Sequence, residues 1–196
     1  MKIRATILAT TALLALAGCG RGNEAAQTNM ANDTAMTTQP DATSVTPGAT
    51  PTAAVSASQT FANAVAASDA FEIETSKLAL TSGASASVKS YAQKMIDAHT
   101  ASTAKLKTTV AGLMPAITPD ATLNAEQQQK LDRLKTLNGT AFDQAYIAEQ
   151  TAGHQQTLDT LKAYAASGDM PALKDFATGL IPMVTAHLNM AKSLKA

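Results

Sequence analysis

Residues 60–82 read TFANAVAASDAFEIETSKLALTS, and residues 85–112 read SASVKSYAQKMIDAHTASTAKLKTTVAG. Projected at about 100° per residue, Phe61, Val65, Phe71, Ile73, Leu78 and Leu80 average near the direction of Val65 and Glu72. Glu72 is therefore expected to face inward, and Glu74, about 200° away, to face solvent. The second stretch carries Val88, Tyr91, Met95, His99, Leu106, Val110 and Leu113 on one stripe. Gly83 separates the two helices. Each has a single apolar stripe, which must be buried against other helices.

Working outward, Pro115, Thr118 and Pro119 stop the second helix. A shorter helix over 124–137 carries Leu131, Leu134 and Leu137, and Asn138-Gly139 is expected to end it in a left-handed turn. Thr140 through Asp143 reads as a capping box with Asp in place of Glu or Gln. The third long helix then places Asp143, Ile147, Gln150, His154, Leu158 and Leu161 on one face. Ser167-Gly168-Asp169 closes it and is expected to cap the fourth. That last helix presents Leu173, Phe176, Leu180, Val184, His187, Ala191 and Leu194, and Pro182 is expected to kink it. The expected fold is all-α: a four-helix bundle, ferritin-like, with a short extra helix in the connection between helices two and three. That connection, about 27 residues, is long for a turn between neighbours and long enough to cross the bundle lengthwise. An up-down-up-down order remains the alternative.

The chain begins differently. Lys2 and Arg4 precede an apolar run from Ala5 to Ala17, too short to span a bilayer as a mature helix. Leu16-Ala17-Gly18-Cys19 looks like a lipobox, so residues 1–18 are expected to be a cleaved lipoprotein signal peptide and Cys19 the site of lipidation. Gly20 follows where an Asp would resemble an inner-membrane retention signal. The expected location is the cell envelope, anchored to the outer membrane and facing the periplasm. Residues 19–58, the lipidated Cys and a segment of Thr, Ala, Ser, Pro and Asn, cannot bury enough surface to order themselves. They are expected to form a disordered tether with an r.m.s. reach of roughly 34 Å. Residues 59–196 are the expected folded domain.

Composition narrows the function. Formal charge is zero for the chain, and residues 59–196 carry 12 basic and 12 acidic side chains. No basic stripe marks a phosphate-tracking surface, so nucleic acid is not an expected partner. Cys19 is the single cysteine, which excludes an intramolecular disulfide. There is no Gly-rich phosphate loop and no nucleophile motif.

The three histidines of the chain, His99, His154 and His187, all fall on inward stripes of different helices, and Glu72 on a fourth. Counted from helix midpoints near residues 71, 98, 153 and 181, Glu72, His99 and His154 share one depth to under 2 Å, while His187 lies roughly 9 Å past it. Three imidazoles and a carboxylate would suit one transition metal ion, Zn, Mn, Fe or Cu. Met95 and Met183 near the histidines raise a Cu(I) version, against the ordinary use of Met as core filler. A di-iron carboxylate site would need a Glu three residues before a His, and those positions are Ile96, Thr151 and Val184. The rival reading is a buried Glu–His pair that only holds the bundle in register. Asp143, about 16 Å along the helix from His154, is expected to cap, and Tyr146 to be core. An enzyme acting on envelope polymers would need a carboxylate pair, whereas Glu72 is expected to stand alone in the core.

Several segments together resemble a bacterial family, the domain of unknown function 4142, whose members look ferritin-like. They are Ala70-Phe71-Glu72-Ile73-Glu74, Lys94-Met95-Ile96-Asp97-Ala98-His99-Thr100, Gly139 through Tyr146, His154, and Ile181-Pro182-Met183 followed by His187-Leu188. The resemblance covers roughly residues 60–194. It implies the ferritin-like fold, an envelope location, and Glu72, His99, Asp143, Tyr146, His154 and His187 as family positions, without a reaction. Ala98 stands where the family usually has Asp, which implies that His99 lacks an orienting carboxylate beside it. Two functions follow as expectations. One is an envelope-anchored module holding one metal ion for metal handling or redox defence. The other is a non-catalytic structural or interaction module with an envelope protein as partner. The membrane is a partner in both, through the lipid on Cys19.

Overall fold

A helix start leaves backbone donors unpaired, and Ser56 satisfies one of them by accepting the Gln59 N–H at 3.1 Å. The structure, a computed structural model, describes residues 55–196. The expected signal peptide, Cys19 and most of the tether lie outside the described residues. Helix α1, Ala57–Ser82, starts two residues before the expected domain boundary. It is followed by α2 (Ala86–Val110), α3 (Ala125–Lys135), α4 (Gly139–Ser167) and α5 (Pro171–Ser193). None of these helices is long and apolar enough to cross a membrane.

The side-chain pairs fix the order of the bundle. Ser68 meets Thr157, Ser76 meets Tyr146, and Gly83 lies beside Gly139, so α1 and α4 run antiparallel. Tyr91 reaches the carbonyl of His187 while Lys105 lies over the ring of Phe176, so α2 and α5 are antiparallel as well. The short turns make α1–α2 and α4–α5 antiparallel hairpins. Consequently α2 ends where α1 began, and α4 must start at the opposite end. The connection does cross the bundle lengthwise. Gln59 on the first turn of α1 exchanges two hydrogen bonds with the backbone of Thr118, and Asn63 accepts the Asp120 N–H at 3.0 Å. From there α3 climbs along α1 and α4, and the chain arrives beside Gly83. This is the ferritin-like order.

The expected stripes of α2, α4 and α5 are buried almost throughout; Ile147, Leu113 and Leu194 are half-buried. Helix α1 is different. Ile73, Leu78 and Leu80 are only half-buried, and its inner face is built from Ala62, Ala66, Thr75, Ser76 and Ala79 around Phe61, Val65 and Phe71. Small side chains let α1 approach its neighbours closely, leaving the larger ones to pack along the flanks.

Three local expectations are corrected. Thr140 to Asp143 is not a capping box: α4 starts at Gly139 with Asn138 as a cap that makes no side-chain bond. The capping box of the connection belongs to α3, where Asn124 and Gln127 satisfy each other's backbone donors. Asp169 does not cap α5, whose N-cap is Met170; its carboxylate instead accepts from the hydroxyls of Ser58 and Tyr164, closing that end of the bundle. Gly139 does adopt the left-handed conformation expected of it, with φ of 61°, but as the first residue of α4 and not as the cap of the short helix α3, which ends at Lys135 with Thr136 as its C-cap; Pro182 lies inside α5.

Candidate metal centre

Two apolar clusters fill the bundle. One gathers Phe61, Val65, Leu106, Leu161, Phe176 and Leu180; the other gathers Val88, Tyr91, Met95, Leu134, Phe142 and Tyr146. Between them lies a buried polar layer to which every long helix contributes. Asp69, Glu72, Thr75 and Ser76 come from α1, His99 and Ser102 from α2, Gln150 and His154 from α4, and His187 from α5. The helical period explains the placement. On α2, for instance, Met95, His99, Ser102 and Leu106 follow one another at steps of three and four, so the stripe passes through the layer without leaving the core.

One ring nitrogen from each histidine lies within 4.8 Å of the others. The ring centroids are 5.4–5.7 Å apart in all three pairs. The hydrogen bonds decide which nitrogens are free. His154 Nδ1 sits 2.9 Å from the carbonyl of Gln150, which can only accept, so Nδ1 carries the proton and donates. His99 Nδ1 lies 2.7 Å from Asp69 Oδ1 and donates to that carboxylate. With Nδ1 of each ring committed to these bonds, it is Nε2 that is left to offer a lone pair when the ring is neutral. Those two nitrogens, and His187 Nδ1, are buried with no hydrogen-bond partner. Buried polar atoms are ordinarily paired, because an orphan costs about 1–3 kcal/mol. Three orphans of the same kind, one on each of three converging rings, form a donor set that lacks only an acceptor of lone pairs.

His187 joins the cluster, against the expected 9 Å offset. Depth in an antiparallel hairpin is counted from the shared turn rather than from helix midpoints. His154 stands 13 residues before the end of α4 and His187 16 residues after the start of α5. The difference is roughly 4.5 Å. Side chains lean toward the N-terminus of their own helix, so the two rings lean toward each other from opposite directions.

Glu72 stands at the edge of the cluster. Its Oε1 is 3.8 Å from His154 Nδ1, the protonated side of that ring, and its Oε2 is buried without a partner. The group that converges within 4.8 Å comprises the three histidines alone.

The family described as Domain of unknown function (DUF4142) matches residues 43–194. The chain belongs to this family. No curated protein and no solved structure matches it. For this DUF4142 chain the chemistry of the site rests on its own geometry.

That geometry corrects the expectation drawn from Ala98. The carboxylate absent beside His99 on α2 is supplied across the helix pair by Asp69 of α1, which also accepts from the hydroxyl of Thr103 at 3.1 Å. Nor does Glu72 stand alone, since Asp69 is buried one turn away. The signal was present in the sequence: Asp69 is four residues after Val65 and three before Glu72, on the same face. Burial, the largest influence on His99, opposes its protonation. The Asp69 hydrogen bond, with the charges of Glu72 and Asp69, outweighs it and holds this imidazole above its ordinary pKa. His187 has no such partner. Burial first, and then the other two histidines, push it down to about 3.

A carboxylate on Nδ1 fixes ring orientation and raises ligand basicity, and such partners are worth about 10–100-fold in metal affinity. For a metal ion held on these three rings, Asp69→Asn is therefore expected to leave the stoichiometry unchanged and weaken binding by about that factor, as read by competition with a chromophoric chelator.

The remaining expected residues make contacts of their own. Met95 packs in the cluster of Val88 and Phe142, and Met183 against the cluster of Phe61 and Leu180, one on either side of the polar layer. Tyr146 is fully buried, with its hydroxyl 2.7 Å from Ser76 Oγ and its ring stacked on Phe142. Burial, and then the charge of Glu72, raise its pKa well above the ordinary tyrosine value. Tyr91 is raised for the same reasons, and its hydroxyl donates to Gln150 at 3.1 Å. Asp143 lies at the end of the bundle, where it holds the α1–α2 turn.

Proposed function

We propose that this DUF4142 chain is an envelope-anchored lipoprotein, tethered through Cys19, whose bundle holds one transition metal ion on His99, His154 and His187. The observation that carries this reading is the set of three orphaned, converging imidazole nitrogens, two of them with the tautomer fixed by hydrogen bonds on the far side of the ring. Three neutral imidazoles suit Zn, Cu, Fe or Mn. They also leave an open coordination position, the arrangement of metal sites that bind a further ligand. Asp69 and Glu72 supply two carboxylates near a divalent ion, which offsets the cost of burying its charge. Glu72, at the edge of the cluster, is the carboxylate that a rotation of its side chain would bring into the coordination. The role that fits a tethered, redox-capable or metal-retaining module is metal handling or redox defence in the envelope.

The test is elemental analysis of the purified protein, made without a metal-binding tag, followed by titration of the metal-free form. The expected result is one equivalent of Zn, Mn, Fe or Cu per chain, absent from His154→Ala. A protein that binds none of these at micromolar excess would leave the polar layer as a structural cluster in a non-catalytic interaction module.

A further inference from the structure

A buried metal centre needs a way in, and among the described residues one flank of the bundle offers a cleft that reaches the polar layer. Between α1 and α4, roofed by the first turns of α3, lies a cleft of about 150 Å³. Its walls are small where the two long helices face each other, at Ala64, Ala67, Ser68 and Gly153. Its inner end is Glu72, 3% exposed, whose Oε2 has no partner. Its outer end carries Glu126, Glu149 and Lys130. The lysine ammonium lies 2.7 Å from Glu126 and 3.4 Å from Glu149, so it spans the two carboxylates that a cation would meet first.

Building on the metal reading above, we propose that this cleft is the access route by which a hydrated divalent cation reaches the three histidines, and that Glu72 is the relay carboxylate. The cleft's charged side chains are three carboxylates against one ammonium, which favours a cation over an anion. Lys130 is exchangeable: half-exposed and flexible, it can swing aside when a cation takes its place between Glu126 and Glu149. The cation then passes the gap left by Gly153. A Cβ there would sit 3.5 Å from Glu72 Oε1, an ordinary contact, so the missing side chain leaves the carboxylate reachable from outside. Glu72 lines the cleft and borders the histidine layer, with Oε1 3.8 Å from the Nδ1 side of His154. It takes the ion from the cleft and passes it to the rings by a rotation of its side chain.

The test is the rate at which metal-free protein takes up Co²⁺, followed by its absorption in stopped flow, with affinity measured separately. Gly153→Leu places a branched side chain in the passage and touches no histidine. It is expected to slow both loading and release by about tenfold or more, leaving stoichiometry and affinity close to the parent's. Thr157→Leu, on the same wall, is the second obstruction should Gly153→Leu fail to fold, and should slow both rates in the same sense. Glu126→Gln combined with Glu149→Gln should slow loading further as salt is lowered, where electrostatic steering matters most. Loading at the parent rate in a folded, obstructed variant would overturn the route while leaving the metal site standing. A parent protein that takes up no Co²⁺ would overturn both.

Discussion

Replacing His187 by leucine is expected to weaken metal binding by at least about a hundredfold and, in the same protein, to make the metal-free form more stable. The two effects have opposite signs if the histidine serves the proposed metal alone. His187 is buried, its Nδ1 has no partner, and Val184 and Leu188 beside it belong to the apolar core. Leucine has a similar volume and nothing to leave unpaired, so the apo protein should gain about 1–3 kcal/mol. The loss of a ligand should exceed the 10–100-fold that outer partners are worth. The pH profile adds an independent reading. With its folded pKa pushed down to about 3, His187 stays neutral while the unfolded chain takes up a proton below about 6.5. The unfolded state thus binds more protons, and parent apo stability falls with acidification from pH about 6.5 by up to about 1.4 kcal/mol per unit. His99 acts in the other direction: its raised pKa contributes stability below about 6.5 that is lost as pH rises through the folded value. The leucine variant should lose the acid-side slope and keep the alkaline one. Urea unfolding of chelator-treated protein from pH 4 to 8 checks both. A variant that is less stable than the parent apo protein at every pH would mean that His187 is a structural residue.

The bundle was legible because large apolar residues recur at helical spacing on α2, α4 and α5, and because one connection is too long for a turn. The three histidines were legible as candidates for the same reason: each occupies a position where Leu or Val would be expected. What remained hidden depends on contacts between helices. Asp69 lies on the inner face of α1 by simple counting, but that face is mostly Ala, Ser and Thr, and an apolar projection gives it no weight. Its partner, His99, is 30 residues away. Helix midpoints misplace His187 in depth because they carry no information about the turn from which α4 and α5 are both measured. Glu72 was correctly placed inward, yet no projection could show that its carboxylate lies on the protonated side of His154 rather than among the free nitrogens. The resemblance to the DUF4142 pattern supplied positions. The hydrogen bonds supplied their roles: Asp69 orients a ring, and Asp143 serves the frame.

Asp143→Ala should be among the most destabilising single changes in this domain, at about 3–5 kcal/mol, without altering metal stoichiometry in the protein that remains folded. The side chain is fully buried at the end of the bundle. One carboxylate receives the Ala84 N–H at 3.2 Å on each oxygen and the Ser85 N–H at 2.8 Å. These donors belong to the turn that leads into α2, whose N-cap is Ser85. Hydrogen bonds to a charged acceptor are worth about 1.5–3 kcal/mol each, and the carboxylate also faces the positive end of α2. The contact requires Gly83 as well, because a Cβ at that position would lie 2.8 Å from Asp143 Oδ1 and 2.7 Å from the Ala79 carbonyl oxygen. Asp143→Asn should cost roughly half as much, since its amide keeps one accepting oxygen but turns a donor toward donors. His154 is 11 residues, about 16 Å, away along α4, so the metal ligands should not feel the change directly. Urea unfolding of the metal-free proteins, with metal content measured on the folded fraction, separates the two roles. Loss of metal at unchanged stability would place Asp143 in the site instead of the frame.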